Sequence, residues 1–247
     1  MSQTEVAIPT PDGAARAFVF TPDAGPGPWP AVVMYMDGLA IRPAMFEMAG
    51  RLAANGFYVL LPDMFWRAGP YPPVDTARLL GDEALRREFF TTFMTSTDPV
   101  RSMRDTGAFL DWIATQPQAG PGKVGVTGYC MGGGMAFRAA GTYPEQIGAA
   151  AAFHPANLAT DAADSPHLLA PRIEAKVLVA GADQDKGFDD AQKDRLAAAL
   201  ADAGVDAEVT IYRGALHGYA PPDMPVYDRE ASERHWRELV ALFAATL

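Results

Sequence analysis

Short, unbroken apolar runs alternate along this chain with longer stretches whose apolar positions recur every three or four residues. The runs are AVVMYM (31–36), FYVLLP (57–62), KVGVTG (123–128), IGAAAAFHP (147–155), AKVLVAG (175–181) and AEVTIYRG (207–214). Each is short enough for a strand and too apolar to leave one face in water, the pattern of strands covered on both sides. Between the first two, AMFEMAGRLAANG reads as a helix closed by Gly56. Arg101 to Thr115 has helical periodicity, with Met103, Ala108, Leu110 and Ile113 as expected core contacts. MGGGMAFRAAGTY predicts a helix of small residues, and further helices are expected over Asp190–Ala203 and Asp228–Leu247. Two early segments, EVAIP and RAFVFTP, are expected as antiparallel edge strands.

Strands and helices in alternation predict an α/β protein with a mostly parallel central sheet and helices on both faces. DAGPGPWP (23–30) and RAGPYPPVDT (67–76) are rich in turn residues and read as connections within one domain, so residues 1–247 are expected to form a single α/β domain without a large cap. In such sheets ligands bind beyond the carboxyl ends of the strands. Chemistry is therefore sought where the runs end.

The run at 123–128 leads into Gly128-Tyr129-Cys130-Met131-Gly132, which contains the only cysteine of the 247 residues. A nucleophile on a sharp strand-to-helix turn needs small flanking residues, because a Cβ there would clash. The following helix offers free N–H groups and a positive dipole end, both favourable to a thiolate. Later runs end in ADQDKGF, with Asp183 and Asp185, and in ALHGYA, with His217. Nucleophile, acid and histidine thus occur in the chain order of an α/β-hydrolase triad. His154, after another run, comes too early in that order for the base and reads as a supporting residue. His167 is expected to line the pocket or cap a turn, and His235 to be a surface or packing residue of the last helix.

Composition narrows the partners. Asp and Glu outnumber Lys and Arg, 30 to 20. A nucleic-acid or anionic-membrane binder would need clustered cations, so neither is expected. A lone cysteine gives no internal disulfide and no cysteine-based zinc site, and no metal or cofactor is implied. The amino terminus, MSQTEVAIPTPDG, lacks the basic and apolar regions of a signal peptide, and no apolar run reaches the roughly 18 residues of a membrane span. A cytoplasmic monomer or homodimer acting on a small molecule is expected.

On GYCMGG, VLVAGADQD and GALHGYA the chain resembles the dienelactone hydrolases, α/β-hydrolases with a Cys-His-Asp triad. PAVVMYMDGLAIRPAMFEMAGRLAANGFYVLLPDMF is similar to that family's early strand–helix–strand unit. The resemblance implies Cys130 as nucleophile, His217 as base and, reading without gaps from Lys176, Asp185 as acid, with Asp183 as its rival. It implies a carboxylate at Asp37, one methylene shorter than the family's glutamate, that interacts with the resting thiol. Backbone N–H groups of Met131 and Gly38 would hold the oxyanion. Tyr129 and Phe188 are candidate apolar walls, and Arg86 and Arg87 candidate substrate contacts. The segment after His217 lacks the arginine that binds substrate carboxylate in the family, so hydrolysis of some other ester or lactone is expected. The alternative is a thiol redox sensor or a non-catalytic binding protein on the same fold.

Overall fold

Continuous burial of both strand faces dictates the architecture of the computed structural model, which describes residues 2–247. Eight strands form one sheet: β1 (Ser2–Thr10), β2 (Gly13–Thr21), β3 (Ala31–Tyr35), β4 (Tyr58–Pro62), β5 (Val124–Tyr129), β6 (Ile147–Phe153), β7 (Lys176–Ala182) and β8 (Ala207–Tyr212). Their order is β1-β2-β4-β3-β5-β6-β7-β8. β1 and β2 pair antiparallel, as expected, but β2 lies between β1 and β4 rather than at an edge; β3 through β8 run parallel. Every residue of β3, β4, β5 and β6 is buried. β1 and β8 form the sheet edges; β1 is mostly exposed, and β8, expected to be covered on both faces, is exposed at Ala207 and Glu208 and buried only at Ile211 and Tyr212.

The helices are α1 (Pro43–Ala54), α2 (Thr76–Gly81), α3 (Glu83–Phe93), α4 (Pro99–Ala114), α5 (Met131–Thr142), α6 (Asp190–Asp202) and α7 (Arg229–Thr246). Aspartate caps most of them. Asp75, Asp82, Asp98, Asp189 and Asp228 each accept a hydrogen bond from a first-turn N–H of the helix they precede. Those caps are the local signal for α2 and α3, which the apolar pattern does not delimit. α3 buries none of its residues completely, so its periodicity is diluted. The connection expected over 67–76 is real but shorter at both ends: Arg67 lies in a 3₁₀ turn and Thr76 opens α2.

α4 differs from its expected face in one respect. Ala108 is only half-buried, whereas Asp105 and Thr106 are inside. Each polar group is satisfied: Asp105 accepts from Arg67 and Trp66, and Thr106 pairs with Tyr35 at 2.8 Å. Hydrophobicity alone misplaces such a face, because a partnered polar group can be buried at little cost. α5 packs close to the sheet because it is built of Gly and Ala. Among the described residues, no helix is long and apolar enough to cross a membrane.

β3 is flanked by β4 on one side and β5 on the other, and the chain departs in opposite directions from that point. This is the switch point where an open α/β sheet leaves a crevice. The ends of β3 and β5 deliver Asp37-Gly38 and Cys130 to it.

Candidate active site

Cys130 occupies the sharp turn between β5 and α5, with φ 54° and ψ −115°. A positive φ is unfavourable for a residue with a Cβ and is held here by the surrounding packing. A Cβ on Gly128 would lie 2.1 Å from the Gly132 carbonyl oxygen, and one on Gly132 would lie 2.4 Å from that of Met36. Both glycines are therefore steric necessities of the turn. The Cys130 N–H donates to Phe153, its carbonyl accepts from Gly133, and its side chain remains partly accessible. Met131 opens α5, so its N–H has no acceptor within the helix.

His217 comes from the loop after β8. Its Nδ1 lies 2.6 Å from Asp185 Oδ2, in the loop after β7. The other Asp185 oxygen accepts the Gly187 N–H at 2.8 Å, which fixes the carboxylate's orientation. Burial opposes a charge on His217, but hydrogen bonds to Asp185 and to the Cys130 thiol outweigh it and raise the imidazole to about 10. Burial likewise opposes the Asp185 charge, and the His217 and Gly187 hydrogen bonds reverse the effect and lower its pKa. Asp185 and His217 are thus hydrogen-bonded at the carboxyl edge of the sheet, and Cys130 is among the groups that raise the His217 pKa.

Asp183 serves a different purpose. It accepts from Arg213 and from the Gly214 N–H, both at 3.1 Å, and its own N–H donates to Ala215. It thereby shapes the turn that leads toward His217.

Asp37 departs from the contact implied by resemblance. Its carboxylate receives Arg42 Nη1 at 2.7 Å, Arg42 Nη2 at 2.8 Å and the Leu39 N–H at 2.8 Å. Its oxygens are directed to that guanidinium and that amide, and no hydrogen bond among the described residues joins it to Cys130. Arg42 is 1% exposed and also holds Asp223 through Nε at 2.6 Å. The motifs alone do not single out Arg42. Its signal was a lone cation inside the apolar stretch LAIRPAMF, just before the Pro43 that opens α1.

The expected substrate contacts are mostly corrected. Tyr129 and Phe188 are completely buried. The Tyr129 hydroxyl pairs with His235 Nε2 at 3.2 Å, and its ring stacks on Phe153. Both rings belong to the core: Tyr129 ends β5, a strand covered on both faces, and Phe188 folds inward from the loop between β7 and α6. Arg86 donates to the Leu80 carbonyl at 2.8 Å and so ties α3 to the end of α2, while Arg87 is exposed.

The remaining histidines are buried or turn-bound. His235 is a packing residue and not a surface one: it is 0% exposed, and burial lowers its pKa to about 3. His167 pairs with Ser165 in a turn. His154 is 1% exposed, with φ 37°, and its ring lies edge-on 5.1 Å from that of His217. Burial, with His217 adding to it, holds its pKa well below the ordinary histidine range. It lies against the His217 imidazole as a neutral ring.

The model of the Dienelactone hydrolase family matches residues 15–247. A carboxymethylenebutenolidase from a Pseudomonas species is 34% identical over 130 residues, covering 52% of this chain and 50% of that protein. Protein usf from Aquifex pyrophilus is 26% identical over 230 residues, 92% of each. A crystal structure described as a dienelactone hydrolase-like promiscuous phosphotriesterase from metagenomic libraries superimposes with a TM-score of 0.78. It is 25% identical and covers 99% of this chain and 98% of that one.

Proposed function

Because this chain belongs to the dienelactone hydrolase family, we propose that it hydrolyses a carboxylic ester or lactone with Cys130 as nucleophile, His217 as general base and acid, and Asp185 as the group that orients His217. The observation that carries this reading is the position of His217. One side of its ring is held by Asp185 at 2.6 Å, and the Cys130 thiol on the strained turn is among the groups that raise its pKa.

The chemistry follows from those positions. The Cys130 thiolate attacks the carbonyl carbon, and the π electrons move onto oxygen. N–H groups of Met131 and Gly38 receive that oxyanion, and losing one such donor costs roughly a hundredfold in rate. Collapse expels the alkoxide, which takes the proton from the His217 imidazolium. Neutral His217 then removes a proton from water as the water attacks the thioester. The thiolate leaves, the carboxylic acid is released, and the imidazolium–thiolate pair is restored. Asp185 keeps the imidazole in the useful tautomer and stabilises its charged form throughout.

The test is hydrolysis of a panel of esters and lactones by wild type and by Cys130→Ala, with mass spectrometry during turnover. An acyl adduct on Cys130 and loss of activity in the variant are expected. Equal activity in the two proteins removes Cys130 as nucleophile. Oxidised thiol without turnover points instead to a redox sensor.

A further inference from the structure

We propose that the site selects substrates whose reacting carbonyl carries an uncharged, apolar substituent, seated against Phe90 and Met94 beside Gly38. The proposal rests on the hydrolase reading and specifies its substrate class.

The position comes first. A Cβ built on Gly38 would lie 3.7 Å from Phe90 Cε1 and 3.8 Å from Met94 Sδ, so these side chains stand directly over the expected oxyanion residue. Phe90 and Met94 are four residues apart at the end of α3 and therefore share a face. A neighbouring face anchors the helix. Phe89 and Phe93 lie 4.6 Å apart by ring centroid, and Phe93 packs on Phe65 and Tyr71. Holding α3 in place thus leaves the Phe90–Met94 face free for another use.

Exposure points the same way. Four large hydrophobic side chains are exposed among the described residues, and Met94, 38% exposed and close to Gly38, is one of them. An exposed apolar side chain beside an expected oxyanion residue favours a ligand that covers it.

Charge then decides between apolar and anionic substituents. The one guanidinium buried next to Gly38, Arg42, is shared between Asp37 and Asp223, through Nε, Nη1 and Nη2. One cation between two carboxylates leaves a formal negative charge at this corner. Arg86 is directed to the Leu80 carbonyl. The whole chain carries a formal net charge of −10, whose field repels anions. A carboxylate on the acyl group would lose water to an apolar wall and face like charge, while Arg42 is already held by Asp37 and Asp223 and the His217 imidazolium by Asp185.

The experiment compares kcat/KM for p-nitrophenyl butyrate and mono-p-nitrophenyl succinate, which differ by one terminal carboxylate. Wild type is expected to favour the butyrate by roughly tenfold or more. Met94→Lys, which places a cation on the same wall, is expected to narrow the ratio by about fivefold. A second measurement needs no turnover. Cys130 is the only thiol, so its alkylation by N-ethylmaleimide and by N-(2-carboxyethyl)maleimide can be followed in wild type, each rate relative to 2-mercaptoethanol. A preference for the neutral reagent beyond that of the small thiol is expected. Succinate hydrolysed as well as butyrate, or no such preference in alkylation, overturns the proposal while leaving Cys130 hydrolysis standing. Discrimination in alkylation with no ester hydrolysed upholds the apolar site and sinks the hydrolase reading.

Discussion

Arg42 grips Asp37 through two parallel hydrogen bonds of 2.7 and 2.8 Å, and the same guanidinium reaches Asp223 across 181 positions of sequence. The pair joins the loop after β3, which carries Gly38, to the segment that follows His217. Two parts of the site that meet only in space are thereby locked to one buried cation.

Removing that cation is expected to be costly. Arg42→Met leaves Asp37 buried without its partner, and breaking such a pair costs about 3–5 kcal/mol. Arg42→Lys recovers only part of this, because a lysine cannot make the forked contact. Urea denaturation measures both, and a loss below about 1 kcal/mol for Arg42→Met would show that the pair is not a structural link.

The two aspartates of the loop after β7 separate cleanly by function. Asp185→Asn is expected to lower kcat by about 10²–10⁴ with little change in KM, since the amide no longer favours the tautomer and charge that His217 needs. Asp183→Asn loses contacts to Arg213 and Gly214, so its effect falls on stability of the turn. Steady-state kinetics beside melting curves distinguish them. Equal kinetic damage from both changes contradicts the assignment.

The pH dependence follows from His217. Its folded pKa, about 10, lies above the ordinary histidine value. Stabilisation from the charged imidazole is therefore fully present below about 6.5 and is lost as pH rises through about 10. Cys130→Ala removes two of the causes that raise it, so its midpoint moves down. NMR titration of the His217 ring reads this directly. A wild-type midpoint at the ordinary histidine value means that the thiol–imidazole pair does not form.

Glycines of the turn divide by what a methyl group meets. Gly128→Ala and Gly132→Ala place a Cβ within 2.1 and 2.4 Å of backbone oxygens, which cannot step aside. Both are expected to abolish folding or to displace the Cys130 turn with loss of activity. Gly134, in the same helix, has nothing within 4 Å of the built Cβ, and Gly134→Ala is expected to stabilise by up to about 1 kcal/mol. Circular dichroism melts compare the three. A Gly128→Ala protein with native stability and activity refutes the steric account.

Much of this molecule was legible in one dimension. The apolar runs are the strands, with the parallel sense that α/β alternation demands, and in β3 to β6 burial on both faces leaves little room for polar side chains. Gly-Tyr-Cys-Met-Gly announced its turn, since only glycine tolerates backbone oxygens at such distances. Other features needed three dimensions. Asp183 and Asp185 are both plausible acids by spacing, and only the approach of the loop after β8 shows which one faces His217. Tyr129 and Phe188 look like pocket walls beside the motifs, yet the strand carries Tyr129 into the core and the loop after β7 folds Phe188 into it. Asp37 was expected beside the thiol, but Arg42 and Asp223 draw its charge elsewhere. Local pattern reports what must be buried and what must bend. The partner of a charge depends on contacts between residues far apart in sequence, and packing alone decides it.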